Sequence, residues 1–198
     1  MGSWCMVHKI NQKILTLDDY GKDNFIKELK RLGDQNNLFD KRNKEWFQIL
    51  PHSFDKKYID WFFLFDGEKP MAFSTIQKYY SGCYRVLTRT YIYRDYRRFT
   101  NPKLDTFLSP TMRLLPYQLE YLTGYDTVFV SMQSSNRRDA LIRFKTKIEY
   151  HTGDKWHLSR DMLQTCVGGK DCWQNVIYKG SPPILNSMSI EKYDRMFN

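Results

Sequence analysis

What the chain lacks excludes several classes of protein. No run of apolar residues approaches the roughly 18 needed to cross a bilayer as a helix. The N-terminus has no apolar core of the kind found in secretory signals. Met6 stands where a myristoylation motif requires Ser or Thr. These absences predict a cytoplasmic protein that makes no use of a membrane.

Cysteine and histidine are scarce, with four of each among 198 residues. Cys5 and Cys83 stand alone, and the spacing of five residues between Cys166 and Cys172 fits no standard zinc pattern. The sequence therefore predicts isolated reduced thiols and no metal site.

Acidic residues are few relative to basic ones. Lys and Arg number 31 against 22 Asp and Glu, which gives a formal net charge of +9. This balance favours an anionic partner without naming it. Hydrophobic residues make up 41% and aromatic residues 16%, so the chain can bury a core. No repeat, low-complexity tract or linker divides it, which predicts one domain over residues 1–198, with a core at about 12–180 and a tail at 181–198.

Periodicity predicts alternating helices and strands. A first helix is capped by Asp18 or Asp19 and ends at Gly33, and another starts at Ser109 with a kink or break at Pro116. The other predicted helices span 38–50 and about 134–147, and the predicted strands are 14–17, 59–65, 71–80, 83–94, 127–132 and two segments around 151–159 and 175–180. The order β-α-α-β-β-β-α-β-α-β-β predicts an α+β fold with a mixed, mostly antiparallel sheet flanked by helices.

The stretch YIYRDYRRFTNPK, residues 91–103, begins like a strand and runs into a cluster of cations. Arg94, Arg97, Arg98 and Lys103 are opposed only by Asp95. Arginine is suited to phosphate because its planar fork can donate two hydrogen bonds at once. The cluster therefore indicates an anion site, for either a cofactor pyrophosphate or the phosphates of a nucleic acid.

The element order and this stretch resemble the GNAT superfamily of acyl-CoA-dependent N-acyltransferases. In that family the fourth strand leads into a pyrophosphate loop with the pattern R-x-x-G-x-G/A. Ile92 takes the place of the family's Val, Arg97 that of its Arg, and Arg98 that of its first Gly. The resemblance implies acetyl-CoA or another acyl-CoA as co-substrate, contacted by a set of residues in and after this strand: Ile92, Tyr93, Arg97, Arg98, Phe99 and Thr100.

A second point of resemblance follows the strand at 127–132. Asn136 matches an Asn that lies near the pantetheine or pyrophosphate arm in the family. Phe144 falls where many members carry the Tyr that protonates the departing thiolate, so the resemblance leaves that role open here. It also implies a β-bulge in the fourth strand, which turns backbone N–H groups near Ile92 toward the thioester carbonyl.

Acyl transfer to an amine needs a group that accepts the amine proton. Candidates are Asp60, Asp66, His151 and His157, but no spacing singles out one of them, so the catalytic residues are not assigned. The implied partner is an amine-bearing acceptor, either a small molecule or a protein. A homodimer is compatible with the resemblance.

A binding protein without acyltransferase activity is the alternative. The family's loop glycines are absent, and the charge of +9 suits nucleic acid or an acidic partner. A row of tyrosines could stack on bases or could pack across strands: Tyr79, Tyr80, Tyr84, Tyr91, Tyr93 and Tyr96.

Overall fold

The computed structural model describes residues 12–36, 54–79, 82–96, 110–133, 138–167 and 170–183. Its centre is a seven-stranded sheet with the order β1-β2-β3-β4-β5-β7-β6. The strands are β1 Gln12–Thr16, β2 Ile59–Asp66, β3 Lys69–Lys78, β4 Cys83–Ile92, β5 Thr127–Gln133, β6 His157–Val167 and β7 Lys170–Gly180. All neighbours pair antiparallel except β4 and β5, which are parallel. The predicted α+β fold with a mixed, mostly antiparallel sheet is confirmed.

Helices cover both faces of the sheet. They are α1 Leu17–Tyr20, α2 Lys22–Asn36, α3 Leu115–Tyr121 and α4 Arg138–Thr152, with 3-10 helices at Arg94–Tyr96 and Pro110–Leu114. No helix in the described ranges is long and apolar enough to cross a membrane. The helix predicted at 38–50 lies outside the described residues.

The core forms because the strands carry large apolar side chains on both faces. On one face the ring of Phe25 from α2 lies 4.7 Å from Trp61, 4.7 Å from Phe63 and 5.2 Å from Phe73. On the other face Phe62 meets Tyr121 of α3, with 5.2 Å between ring centroids. Each fully buried aromatic ring stabilises the fold by roughly 1.5–3 kcal/mol. Two-sided burial explains why residues 59–65 read as a nearly continuous apolar run.

The first helical region differs from its prediction at both ends. Thr16 is the cap of α1, and Asp19 accepts hydrogen bonds from the Thr16 backbone N–H at 2.9 Å and hydroxyl at 2.7 Å. Gly21, with φ 88°, then separates α1 from α2. Helix α2 continues through Gly33 to Asn36 because Leu29 and Leu32 bury its apolar stripe against the sheet, which outweighs the poor helix propensity of one glycine.

Helix α3 and strand β4 also depart from prediction. The helix predicted from Ser109 is divided into the 3-10 helix Pro110–Leu114 and α3, and Pro116 lies in the first turn of α3, where a backbone N–H has no partner in any case. Strand β4 ends at Ile92 rather than at residue 94. The chain turns there, and the Tyr96 N–H donates to the Tyr93 carbonyl at 3.0 Å.

The last elements are longer than predicted. Helix α4 extends to Thr152, where the Trp156 side chain donates to the Thr152 hydroxyl at 3.0 Å and the Trp156 N–H donates to Glu149 at 3.0 Å. Residues 151–156 are therefore a helix end and turn rather than a strand. β6 and β7 then have eleven residues each, and the turn glycines Gly168 and Gly169 lie outside the described residues, as does the tail from residue 184.

Candidate functional site

The parallel strands β4 and β5 separate soon after they meet. Within the described residues they pair at three positions: Cys83 with Thr127, Tyr84 with Val128, and Arg85 with Phe129. β4 continues through residues 86–92 and β5 through residues 130–133, but these two segments are not paired with each other. The space between these two segments is called the β4–β5 cleft below. It lies at the centre of the sheet, where hydrogen-bonding edges of both strands face one another.

The closed end of the cleft is a tight junction of three strands, called the apex. The N–H groups of Asp126 and Thr127 donate to the Gly82 carbonyl at 2.8 and 2.9 Å. The Ser181 N–H donates to the Asp126 carbonyl at 2.7 Å. Gly82 and Gly180 have φ of 76° and 89°, and a Cβ atom on either would collide with Asp126. The junction therefore needs glycine both for its backbone angle and for its close approach.

A buried polar cluster bridges the two strands just beyond the apex. Arg85 of β4 donates to the hydroxyl of Tyr79 at 3.5 Å and to the hydroxyl of Ser131 on β5. Tyr79 in turn donates to Gln77 at 3.3 Å. Arg85 and Tyr79 are 9% and 8% exposed, so these bonds are shielded from water. The cluster connects β4 to β5 at the point where their backbones stop pairing.

Strand β4 contains two bulges. Its register with β3 shifts between Phe73 and Thr75 and again between Thr75 and Gln77, and each shift inserts one extra residue into β4. Leu87 and Arg89 lie in these insertions with φ of 52° and 47°, the left-handed region that L-residues rarely occupy. Bulges turn peptide groups away from the ladder and occur often beside active sites. The bulge implied by the family resemblance is therefore present, a few residues before Ile92.

The end of β4 is held by α2. Tyr93, which follows β4 directly, lies close enough to Glu28 for each group to shift the pKa of the other. Arg31 donates two hydrogen bonds to this carboxylate, from Nε at 2.7 Å and from Nη2 at 2.5 Å. The Arg31 bond chiefly lowers the pKa of Glu28, against the opposing effect of burial. Burial, then the Glu28 charge, raises the pKa of Tyr93, so this phenol keeps its proton.

The predicted cofactor residues are only partly within the described structure. Ile92 is half-buried at the end of β4, and Tyr93 is buried with its ring 5.3 Å from that of Tyr91. The other predicted residues lie outside the described ranges: Arg97, Arg98, Phe99, Thr100 and Asn136.

Three of the four candidate proton acceptors lie on strands that do not border the cleft. Asp60 and Asp66 are on β2, two strands from β4, and His157 begins β6, two strands from β5. Two strand spacings are about 10 Å, whereas direct proton transfer needs about 3 Å. Asp60 pairs with Lys78 at 2.8 Å, and Asp66 accepts a bond from Tyr96 at 3.5 Å. His151 lies in the last turn of α4.

Two charged groups near β4 were missed by the sequence reasoning. Glu28 could have been found, since it falls within the apolar stripe formed by Phe25, Leu29 and Leu32. Arg113 gave no signal. It is half-buried on the 3-10 helix that packs against β3 and β4. Burial lowers the pKa of its guanidinium. A guanidinium remains a cation there and can attract an anion.

The tyrosine row packs inside the protein. Tyr79, Tyr91, Tyr93 and Tyr96 are each 9% exposed or less, and the Tyr91 ring stacks on Phe73 at 5.4 Å. These rings cannot present a face to bases. Tyr84 is partly buried, and Tyr80 lies outside the described residues. The packing interpretation of this row is therefore correct for the four buried rings.

No protein-family model and no curated protein matches the chain. Solved structures match over most of its length. A Bacteroides thetaiotaomicron protein described as a GNAT-family acetyltransferase is 14% identical, with a TM-score of 0.54, over 93% of this chain and 95% of the other. A Salmonella typhimurium acetyl transferase that modifies the N-terminal serine of a 50S ribosomal subunit protein is 6% identical, with a TM-score of 0.52, over 86% and 95%.

A spermidine N-acetyltransferase from Vibrio cholerae, solved with CoA and spermine, is 10% identical, with a TM-score of 0.50, over 85% of this chain and 94% of the other. The structure thus defines an α+β protein whose central parallel strands separate around a cleft. This architecture is the GNAT fold, as the element order predicted.

Proposed function

We propose that this chain is an N-acyltransferase that moves an acyl group, with acetyl the first candidate, from acyl-CoA to an amine. One observation carries the proposal: β4 and β5 separate after three residue pairs, and β4 is bulged beside the opening. A slot between two strand edges offers backbone donors and acceptors to an extended, amide-containing chain such as pantetheine. Full pairing of β4 with β5 would satisfy more backbone groups, so the opening leaves donors and acceptors that a bound ligand can satisfy.

Acyl transfer fits the groups that the cleft presents. The neutral amine forms a C–N bond to the thioester carbonyl carbon, the C–S bond breaks, and the amine loses a proton while the thiolate gains one. Backbone N–H groups of β4 near Ile92 are suited to stabilise the charge that develops on the carbonyl oxygen. CoA supplies the activated thioester and the leaving thiol.

Cations of this chain are suited to hold the phosphates. In the proposal Arg97 and Arg98, which follow the 3-10 helix Arg94–Tyr96 in the sequence, bind the phosphates, with Phe99 and Thr100 contributing backbone N–H groups and Asn136, between β5 and α4 in the sequence, contributing its side-chain amide. Arg113, half-buried on the 3-10 helix against β4, adds a cation that none of the family motif predicted. Together, these three arginine side chains can replace some of the contacts that a glycine-rich backbone makes to phosphate.

The acceptor in this proposal is an amine, either a small molecule or a protein terminus. Two of the similar structures act on such groups, spermidine in one and an N-terminal serine in the other. In this chain the Glu28 carboxylate near the end of β4 is already paired with Arg31, so its charge does not select between a cationic and a neutral acceptor.

Thermal unfolding of the full chain with acetyl-CoA, CoA or a single-stranded oligonucleotide tests the proposal. A ligand at 100 times its dissociation constant stabilises the folded state by about 2.7 kcal/mol. For a chain of this size the expected rise in Tm is roughly 5–10 °C with acetyl-CoA or CoA. We expect Arg97→Ala/Arg98→Ala to lose most of this rise.

Lys27→Ala/Lys30→Ala is the matched control, because it removes the same charge from an exposed face of α2. It should retain the full rise with CoA. Absence of any shift with either CoA species at millimolar concentration would refute the acyltransferase proposal. A salt-sensitive shift with the oligonucleotide alone would instead support the nucleic-acid alternative.

A further inference from the structure

The bulge at Leu87 creates a backbone group that the sheet cannot satisfy. Residues 86 and 87 both lie opposite Ile76, so one of them has no place in the ladder with β3. A buried N–H without an acceptor would oppose this bulge strongly. The Leu87 N–H instead donates to the side-chain oxygen of Gln118, on α3, at 3.0 Å.

A second hydrogen bond fixes the orientation of the Gln118 side chain. Its Nε2 donates to the Ser74 hydroxyl on β3 at 2.7 Å, and both side chains are fully buried. Ser74 lies opposite the other bulge of β4, which contains Arg89. Because the Leu87 N–H can only donate, the carbonyl oxygen of Gln118 must face β4 and its amide nitrogen must face β3. One side chain thus spans both irregularities of the strand.

The backbone at this place is strained in a way that packing alone does not explain. Leu87 and Arg89 hold left-handed angles that cost an L-residue free energy, and they are the two such non-glycine residues in the described ranges. Strained conformations that persist next to a cleft commonly serve function. Something must hold the strand against relaxation into a regular ladder, and Gln118 is placed to do so.

We propose that Gln118 is a positioning residue for the β4–β5 cleft: it locks the double bulge of β4 and thereby sets the strand edge that receives acyl-CoA. The link to acyl-CoA rests on the proposed function. Gln118 contacts β4 at the backbone N–H of Leu87, from the face of the sheet that α3 covers. It therefore acts on the shape of the strand and does not contact the substrate. Regular pairing of β4 with β3 would redirect the peptide groups after Leu87 and close off their approach to the ligand.

The test compares Gln118→Leu with Gln118→Glu in the full chain. Leu keeps the side chain's approximate size and removes both bonds. Glu keeps both, because its carboxyl accepts from Leu87 and the Ser74 hydroxyl can rotate to donate. Ile59→Val on β2, 1% exposed, is the control for core destabilisation away from the cleft. The readouts are amide hydrogen exchange at Leu87 and Arg89 without ligand, and the Kd of CoA by calorimetry.

We expect Gln118→Leu to speed exchange at both amides and to weaken CoA binding by about tenfold or more. Gln118→Glu should bind within about threefold of the unsubstituted protein even if it melts earlier, and Ile59→Val should bind unchanged. Unaltered exchange in Gln118→Leu, or equal loss of affinity in Gln118→Leu and Ile59→Val, would overturn the inference. If the unsubstituted protein does not bind CoA, the proposed function and the ligand link both fail, and the exchange data alone decide whether Gln118 holds the bulge.

Discussion

At the scale of single residues, Glu28 illustrates how a charged side chain can serve position rather than proton transfer. Its two oxygens accept from Arg31 in a forked pair, and the Tyr93 phenol lies close enough to lower its pKa further. A carboxylate so engaged has a lowered pKa and is a weak base. Its contacts connect α2 to the residue that follows β4, so it restrains the end of the strand whose edge forms the cleft.

Replacing this carboxylate should change how stability depends on pH. Because the folded-state pKa of Glu28 lies below its ordinary value, its contribution is fully present above about pH 4.5 and is lost as pH falls through the folded pKa. We expect Glu28→Gln to lower the free energy of unfolding by about 1–2 kcal/mol at pH 7. The difference should shrink steadily below about pH 4.5, as urea melts across pH would show.

Glu68→Gln on the exposed turn after β2 is the matched control. It removes one carboxylate without a forked partner, and its curve should follow that of the unsubstituted protein at neutral pH. A Glu28→Gln loss that stays constant from pH 7 to pH 3 would show that packing, not charge, accounts for the effect.

Residue roles were only partly predictable from sequence. Glu28 interrupts an apolar stripe, which is a detectable anomaly. Gln118 gives no such signal, because a glutamine in a short helix usually faces solvent and its partners Leu87 and Ser74 are distant in sequence. Contacts of this kind depend on the three-dimensional fold, so no local pattern could reveal them.

At the scale of elements, β4 combines a predictable strand with an unpredictable shape. Residues 83–92 are rich in β-branched and aromatic residues, and the strand was predicted, although its burial alternation is interrupted at both bulges. Its bulges were not visible in the residues themselves, because Leu87 and Arg89 are ordinary strand residues rather than the Gly or Asn that usually mark positive φ. The strain is imposed by tertiary contacts, and only the family resemblance anticipated it.

The left-handed angle at Arg89 should make this position selective. Arg89→Val places a β-branched residue where φ is positive, whereas Arg89→Asn introduces a residue that tolerates this region. Both variants lose the arginine side chain equally. We expect Val to be less stable than Asn by about 1–2 kcal/mol, measured by chemical denaturation.

Thr90→Val serves as the control for this comparison, since Thr90 is exposed on the same strand and is not among the positive-φ residues described. Valine suits an ordinary strand, so stability there should change little or rise. Equal stability of the Val and Asn variants at Arg89 would mean that the strand relaxes readily and that the bulge is not locked.

The apolar elements were the most predictable part of the fold. Strands β2 and β5 were placed within about one residue because their side chains are buried on both faces. Helix ends were less accurate, since tertiary packing overrode the stop signal of Gly33, and Pro116 lies in the first turn of α3, where proline is tolerated. The start of β6 was misplaced because the Trp156 contacts that complete α4 are not a periodic feature.

At the scale of the whole molecule, the apex determines whether the two parts of the sheet meet correctly. Gly180→Ala would force a Cβ atom into the Asp126 carbonyl and would also strain a φ of 89°. Gly67→Ala has a comparable positive φ of 59° but open space around it. We expect a loss of about 1 kcal/mol at Gly67 and about 3 kcal/mol or more at Gly180.

Thermal and urea melts of these two alanine variants measure the difference. For a chain of this size, 3 kcal/mol corresponds to a fall in Tm of roughly 6–12 °C. Similar losses at the two glycines would indicate that the apex can open by a small backbone movement, and would weaken its assignment as a rigid junction.

The brief contact between β4 and β5 divides the sheet into two antiparallel sections, β1–β4 and β5–β7–β6, that share only three backbone pairs. Side chains from both sections nevertheless enter one apolar core. Substitutions in β2 and β7 that lie more than about 10 Å apart should have additive effects on stability, whereas substitutions of neighbouring residues should couple. The cleft is formed by the separation of the two sections, so neither section needs an internal void. A substitution on one wall of the cleft therefore leaves the opposite wall intact.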